Sequence, residues 1–168
     1  MNAMPRRPLR FSNLDEIMQE VDQLNRSGYL THGKWDLGQI CSHLADWMGF
    51  AMDGFPKPPF PIAILLRVLR ATQGKRMLHK ILETGGMGHG SPTMPVTVYE
   101  KQASPDEAVE RLRQTIERLK ASNGPFHPSP LFGAMSKEEL VGLHLVHCAH
   151  HLKYLEPTSI QGSGSGSC

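Results

Sequence analysis

The chain has 168 residues, an ordinary hydrophobic share, and a formal net charge of +2 spread over 18 basic and 16 acidic side chains. That length suits one domain with a sizeable core, and so balanced a charge provides no broad basic field for nucleic acid. The opening MNAMPRRPLRF lacks the apolar stretch of a signal peptide, and the longest apolar run, PIAILLRVL at 61–69, is too short and too interrupted to span a bilayer, so a soluble, cytoplasmic protein is expected.

The first predicted element is a helix. Ser12 and Asn13 precede LDEIMQEVDQLNRSG, which has acids in its first turn, Gly28 as its stop, and Leu14, Ile17, Val21 and Leu24 at helical spacing. The second lies within KWDLGQICSHLADWMGFAMDG. Asp36 is its N-cap, Gly54 its end, and Ile40, Leu44, Trp47, Met48 and Ala51 its apolar stripe. FPKPPFP at 55–61 forbids regular helix and reads as an extended connection. Pro61 then suits the first position of a short helix, IAILLRVLRAT, and residues 75–82 allow one more turn or two.

ETGGMGHGSPTMP is a loop by composition. No Gly-Lys-Ser/Thr follows it and no strand leads into it, so it is not a phosphate-cradling loop. VTVYE reads as a short extended piece. A helix follows, capped by Ser104 with Pro105 in its first turn, and Ala108, Leu112, Ile116 and Leu119 line one face. NGPFHPSPLFGAM is a rigid, proline-punctuated loop, and Ser136 with Glu139 makes a capping box for the last helix. Four main helices, no internal repeat and a long second connection carrying a short extra helix predict an all-α four-helix bundle. Residues 1–160 read as that single domain. The tail 161–168 ends in QGSGSGSC, a flexible Gly/Ser linker whose lone terminal cysteine has the look of an engineered handle.

Nine histidines are present, four of them between 144 and 151, within LHLVHCAHHLKYL. Residues four apart on a helix share a face, with Cβ atoms about 5–6 Å apart. His147 and His151 therefore point the same way, His144 is slightly offset, and His150 turns away. Leu140, Leu143 and Tyr154 share the stripe of the pair, which directs it inward. On the second helix His43 falls between Ile40 and Trp47 at helical spacing, again inward. Three inward imidazoles from two helices match the three-ligand pattern of an open metal site. From spacing alone, ordinary hydrogen-bonded core histidines remain the alternative. Cys41 and Cys148 read as reduced, buried thiols. Cys148 is rotated about 100° from His147 on an ideal helix, and Cys41 points roughly opposite His43, so neither makes a good ligand.

WDLGQICSHLADWM followed by a terminal LHLVHCAHHLKYL resembles the DinB-like metal-binding bundles, and MDGFPKP with HPSPLFGAMSKEEL resembles an uncharacterised branch of that superfamily. The resemblance covers nearly the whole chain except its tail. It implies a metal held by one histidine of the second helix and an H-x3-H pair of the last, here His43, His147 and His151. It also implies two chemistries: transfer or isomerisation with a low-molecular-weight thiol cofactor, or metal-dependent hydrolysis.

Three neutral imidazoles leave a divalent ion its full charge, with which it activates water or a thiolate. Zinc suits the ligands best, and nickel, iron(II) or manganese also accept them. The expected function is a metal-dependent enzyme acting on a small-molecule substrate, a thiol-dependent transferase or otherwise a hydrolase, with no general base identified. No glutamate sits beside the histidine pair as in a zinc-protease H-E-x-x-H, which disfavours peptidase activity. The alternative is a non-enzymatic metal-binding module whose ion braces the bundle or senses metal or stress. Asp46 is a candidate to accept a ring N–H of His43 or is a solvated helix residue. His144 is a proton carrier or a packed polar residue. His127 reads as a loop residue that can reach the site mouth, and His89 as solvent-exposed. Residues 61–82, with Arg67, Arg70, Lys75, Arg76 and Lys80 among apolar residues, read as an amphipathic packing segment rather than a membrane-surface helix. A homodimer is expected from the resemblance, with no nucleic-acid or membrane partner.

Overall fold

The Asn13 side chain accepts the backbone N–H of Glu16 at 3.0 Å, and Glu16 reaches back to the backbone N–H of Ser12 at 2.7 Å. Helix α1 (Leu14–Ser27) starts on this reciprocal pair and stops at Gly28, whose φ of 73° ends the helical path. The computed structural model describes residues 7–88, 95–101 and 104–158, so His89 and the Gly/Ser tail lie outside the described residues. A short strand follows, β1 (Tyr29–Thr31), which pairs antiparallel with β2 (Leu155–Pro157) and ties the end of α1 to the segment after the last helix. Neither strand was expected. At three residues each, they are too short to show an alternating pattern.

Helix α2 (Leu37–Asp53) is capped by Asp36, whose side chain accepts the backbone N–H of Gln39 while Gln39 answers on the Asp36 backbone. The sequence predicts a stripe, but Cys41 to Asp46 is buried without interruption. This is the central helix, packed most extensively on the fifth helix and also on the last. Trp47, expected in the core, is only half-buried.

The proline connection leads into α3 (Phe60–Leu69), a π-helical turn (Arg70–Gly74) and α4 (Lys75–Thr84), an unbroken helical segment longer than the turn or two expected after residue 74. Gly74 explains how the segment packs: a Cβ there would stand 2.4 Å from the carbonyl oxygen of Leu131. Only a glycine lets the helix pass that close to the 131–132 loop. α3 buries no residue and leaves Phe60, Ile64, Leu65 and Val68 more than half exposed, whereas α4 packs through Leu78 and Ile81. The expected packing segment is therefore α4 alone.

After the loop, Pro95–Thr97 forms a 3-10 turn where an extended piece was expected. Helix α5 (Asp106–Ala121) begins after Pro105, with Ser104 Oγ accepting the Asp106 N–H at 3.3 Å. Helix α6 (Lys137–Leu152) has the expected capping box of Ser136 and Glu139. It ends before Tyr154, which lies in the following turn and not on the helical stripe.

The chain is thus mostly helical, as an all-α reading requires. The main core gathers α1, α2, α5 and α6 around Ile17, Leu44, Leu112 and Leu140. A second, smaller cluster of Leu78, Ile81, Phe132 and Leu143 seals α4 and the 131–132 loop against α6. Among the described residues, no helix is long and apolar enough to cross a membrane.

Candidate metal centre

Three imidazoles converge where α2 meets the C-terminal half of α6. His147 Nε2 lies 3.3 Å from His43 Nε2 and 3.1 Å from His151 Nε2, and the three donor atoms all lie within 4.8 Å of one another. The structure brings together the three residues that sequence spacing singled out. The fourth and fifth histidines of the neighbourhood behave differently. His144 is buried one turn earlier on α6, and His150 packs its ring on that of His151 at 5.2 Å between centroids.

Two of the three donor spacings, both to His147 Nε2, suit a small cation. A tetrahedral ion with metal–nitrogen bonds of about 2.0–2.1 Å sets its ligand nitrogens roughly 3.3–3.4 Å apart, close to the two spacings quoted. Protonation points the same way. His43 Nδ1 lies 3.2 Å from the Thr97 carbonyl oxygen, so this nitrogen carries the ring proton and donates it, leaving Nε2 as a bare lone pair. One proton on His147 Nε2 cannot then serve both of its neighbours in line, and a cation relieves that shortage.

Burial keeps the rings neutral. Desolvation pulls the pKa of His43 below its ordinary value, against the opposing Thr97 hydrogen bond and the charge of Asp46. It takes His147 well below, helped by the neighbouring rings, and lowers His151 to about 3, helped by His43, His150 and Lys153. A neutral imidazole is the form that coordinates metal.

The supporting residues differ from expectation. Asp46 does not receive the His43 proton. Its carboxylate accepts the Tyr99 hydroxyl at 2.6 Å and pairs with Arg111. The side-chain amide of Gln39 donates to the Tyr99 carbonyl oxygen at 2.6 Å. Asp46 and Gln39 therefore moor the loop that presents Thr97, one step removed from the site. Trp35, just ahead of the Asp36 cap, was missed altogether. Its ring stacks on His151 at 5.4 Å with planes 10° apart and meets His43 at 5.0 Å. An aromatic residue immediately before a helix that carries a candidate ligand is the signal that could have revealed it. His127 docks on the end of α2, its backbone N–H donating to Ala51 O at 2.8 Å, and does not line the site. Cys41 and Cys148 are free, buried thiols whose pKa values desolvation raises strongly, and neither joins the cluster.

Beside the triad lies a cavity of about 450 Å³. Its walls come from α4, the 86–88 segment, the 131–132 loop and α6, and His43, His147 and His151 all line it. The site thus combines a cation-sized donor cluster with a chamber large enough for a small molecule.

Residues 3–158 match the model of the family described as Protein of unknown function (DUF1569), and the chain belongs to that family. No curated protein and no solved structure matches it.

Proposed function

We propose that this chain is a metal-dependent enzyme in which His43, His147 and His151 hold one divalent ion, preferably zinc, in a four-helix bundle of the DinB-like kind that its second and last helices resemble. The observation that supports catalysis over bracing is the open chamber. A structural zinc site is closed by four protein ligands, whereas among the described residues only three candidate ligands cluster here, and all three line a cavity of about 450 Å³.

When bound, such an ion supplies Lewis acidity to a substrate oxygen or sharpens a nucleophile such as water or a thiol. The chain's own residues do the rest. Thr97 fixes the tautomer of His43, Trp35 holds the plane of His151, and α4 and α6 wall the chamber in which a substrate would meet the ion. Of the two chemistries carried by the resemblance, transfer or isomerisation with a low-molecular-weight thiol is the first reading and hydrolysis the second.

The test is elemental analysis of protein purified without a metal-affinity column, followed by assays of thiol cofactors against electrophiles before and after chelation. Near-stoichiometric metal and chelator-sensitive turnover support the reading. Rates unaltered by removing the ion would dismiss the enzyme.

A further inference from the structure

We propose that the chamber beside the triad binds a small apolar anion of the monocarboxylate type, its charged end at the histidines and its hydrocarbon body between α4 and α6. The inference rests on the metal reading above and narrows its substrate class.

The walls carry the argument. Away from the histidines the lining is mainly hydrocarbon and thioether, with Met77, Ile81, Phe132 and Leu143 as its main surfaces and Lys80, Thr84 and the 86–88 backbone as its polar parts. Such a surface accepts an apolar body and is less suited to a sugar or a nucleotide, which need many hydrogen-bonding groups. The charges have one sign. Among the described residues, Lys80 lines the chamber, no carboxylate does, and the other ionisable lining groups are imidazoles. A bound divalent ion adds further positive charge with no acid in the wall to offset it, so a cationic ligand is repelled and an anion is drawn in.

Unused hydrogen-bonding capacity lies toward the same end. Trp47 and His144 both line the chamber, and Trp47 Nε1 and His144 Nε2 are buried without a hydrogen-bond partner. Buried polar nitrogens left unpaired are uncommon in folded proteins and call for an explanation. The indole N–H can only donate, and a neutral imidazole carries one N–H to donate. Both nitrogens are sealed behind the wall as it stands, so acceptor oxygens at the histidine end would reach the indole N–H only with a shift of the side chains in front of it.

The test uses the full chain loaded with cobalt(II), whose visible absorption reports its coordination, and four probes: octanoate, octylamine, octan-1-ol and acetate. Cobalt content is measured first. A wild-type protein that takes up no cobalt defeats the metal reading before any probe is added. With cobalt bound, octanoate is expected to alter the cobalt spectrum and to bind at least about tenfold more tightly than each of the other three. Met77 is 36 % exposed and sits on α4, not on the helices that carry the candidate ligands, so Met77→Trp is expected to fill the chamber, leave cobalt content unchanged and weaken octanoate at least about fivefold. Equal binding of octanoate, octylamine and octan-1-ol, octanoate no tighter than acetate, octanoate binding untouched by Met77→Trp, or no octanoate binding to a cobalt-loaded protein would each overturn the inference while leaving the metal site standing.

Discussion

The Nδ1 of His43 faces the carbonyl oxygen of Thr97 at 3.2 Å, across 54 positions of sequence. A backbone oxygen thereby sets which face of the imidazole is available to a cation, and the loop bearing it is held by Asp46 and Gln39 of the same helix that bears His43.

Loosening that mooring is expected to weaken metal binding without removing a ligand. Asp46→Ala severs the anchors to Tyr99 and Arg111 together. Loss of a group that orients a metal ligand commonly costs 10–100-fold in affinity, and a mooring one step further out should cost about tenfold. Competition against a chromophoric chelator measures it, with stoichiometry unchanged. Wild-type affinity in the variant would show that the loop holds its place without Asp46.

Removing a ligand should have the larger effect. His147→Ala and His151→Ala are each expected to lose most bound metal, and His150→Ala to retain it. Equal metal in all three by elemental analysis would refute the assignment.

His144 offers a separation of stability from function. Its Nε2 is buried and unpaired, and a buried polar group without a partner costs roughly 1–3 kcal/mol. His144→Phe is therefore expected to leave stability unchanged or raise it by up to about 1–2 kcal/mol in urea unfolding of the metal-free protein. A loss of several kcal/mol would reveal a partner for the ring.

The same ring makes the fold acid-sensitive. Burial lowers the His144 pKa from 6.5 to about 4. Between those values the unfolded chain binds a proton that the folded chain refuses. Its contribution is thus intact above pH 6.5, is lost as the pH falls through the window, and levels off below about 4. At about pH 5 this one ring is expected to cost about 2 kcal/mol. Urea unfolding of metal-free wild type and His144→Phe near pH 7.5 and near pH 5 measures the difference, and parallel losses in both would remove His144 as the cause.

Gly74→Ala tests the approach of the π-helical turn to the 131–132 loop. Alanine gains about 0.8–1.0 kcal/mol in helix propensity, yet its Cβ would stand 2.4 Å from Leu131 O. Crowding of a packed site typically costs 1–3 kcal/mol. A net loss of up to about 2 kcal/mol in unfolding free energy is expected, and a stabilised variant would mean that the loop yields freely.

What could be read in advance follows from what leaves a mark on side-chain order. The caps at Asn13, Asp36 and Ser136, the terminators Gly28 and Gly54, and the convergence of His43 with an i, i+4 pair all depend on residue type at fixed spacing. Each is found where spacing predicts it. Thr97 left no mark, because its carbonyl would be the same on any residue. The Asp46 alternatives were posed around His43, whereas its partners Tyr99 and Arg111 lie 53 and 65 positions away. The β1–β2 ribbon and the continuation of α3 through a π-helical turn into α4 depend on long-range packing, which local periodicity does not encode. The chamber is a further step removed, since it exists only once α4 lies beside α6.

His43 and His147 are separated by 104 positions. Their meeting therefore requires the second helix and the last to have found each other already. An ion gripped by both would arrive late in assembly and act as a clasp, lengthening the lifetime of the finished fold more than it hastens its formation. Depletion of the metal would then be felt first as faster opening, with the route of collapse left much as before.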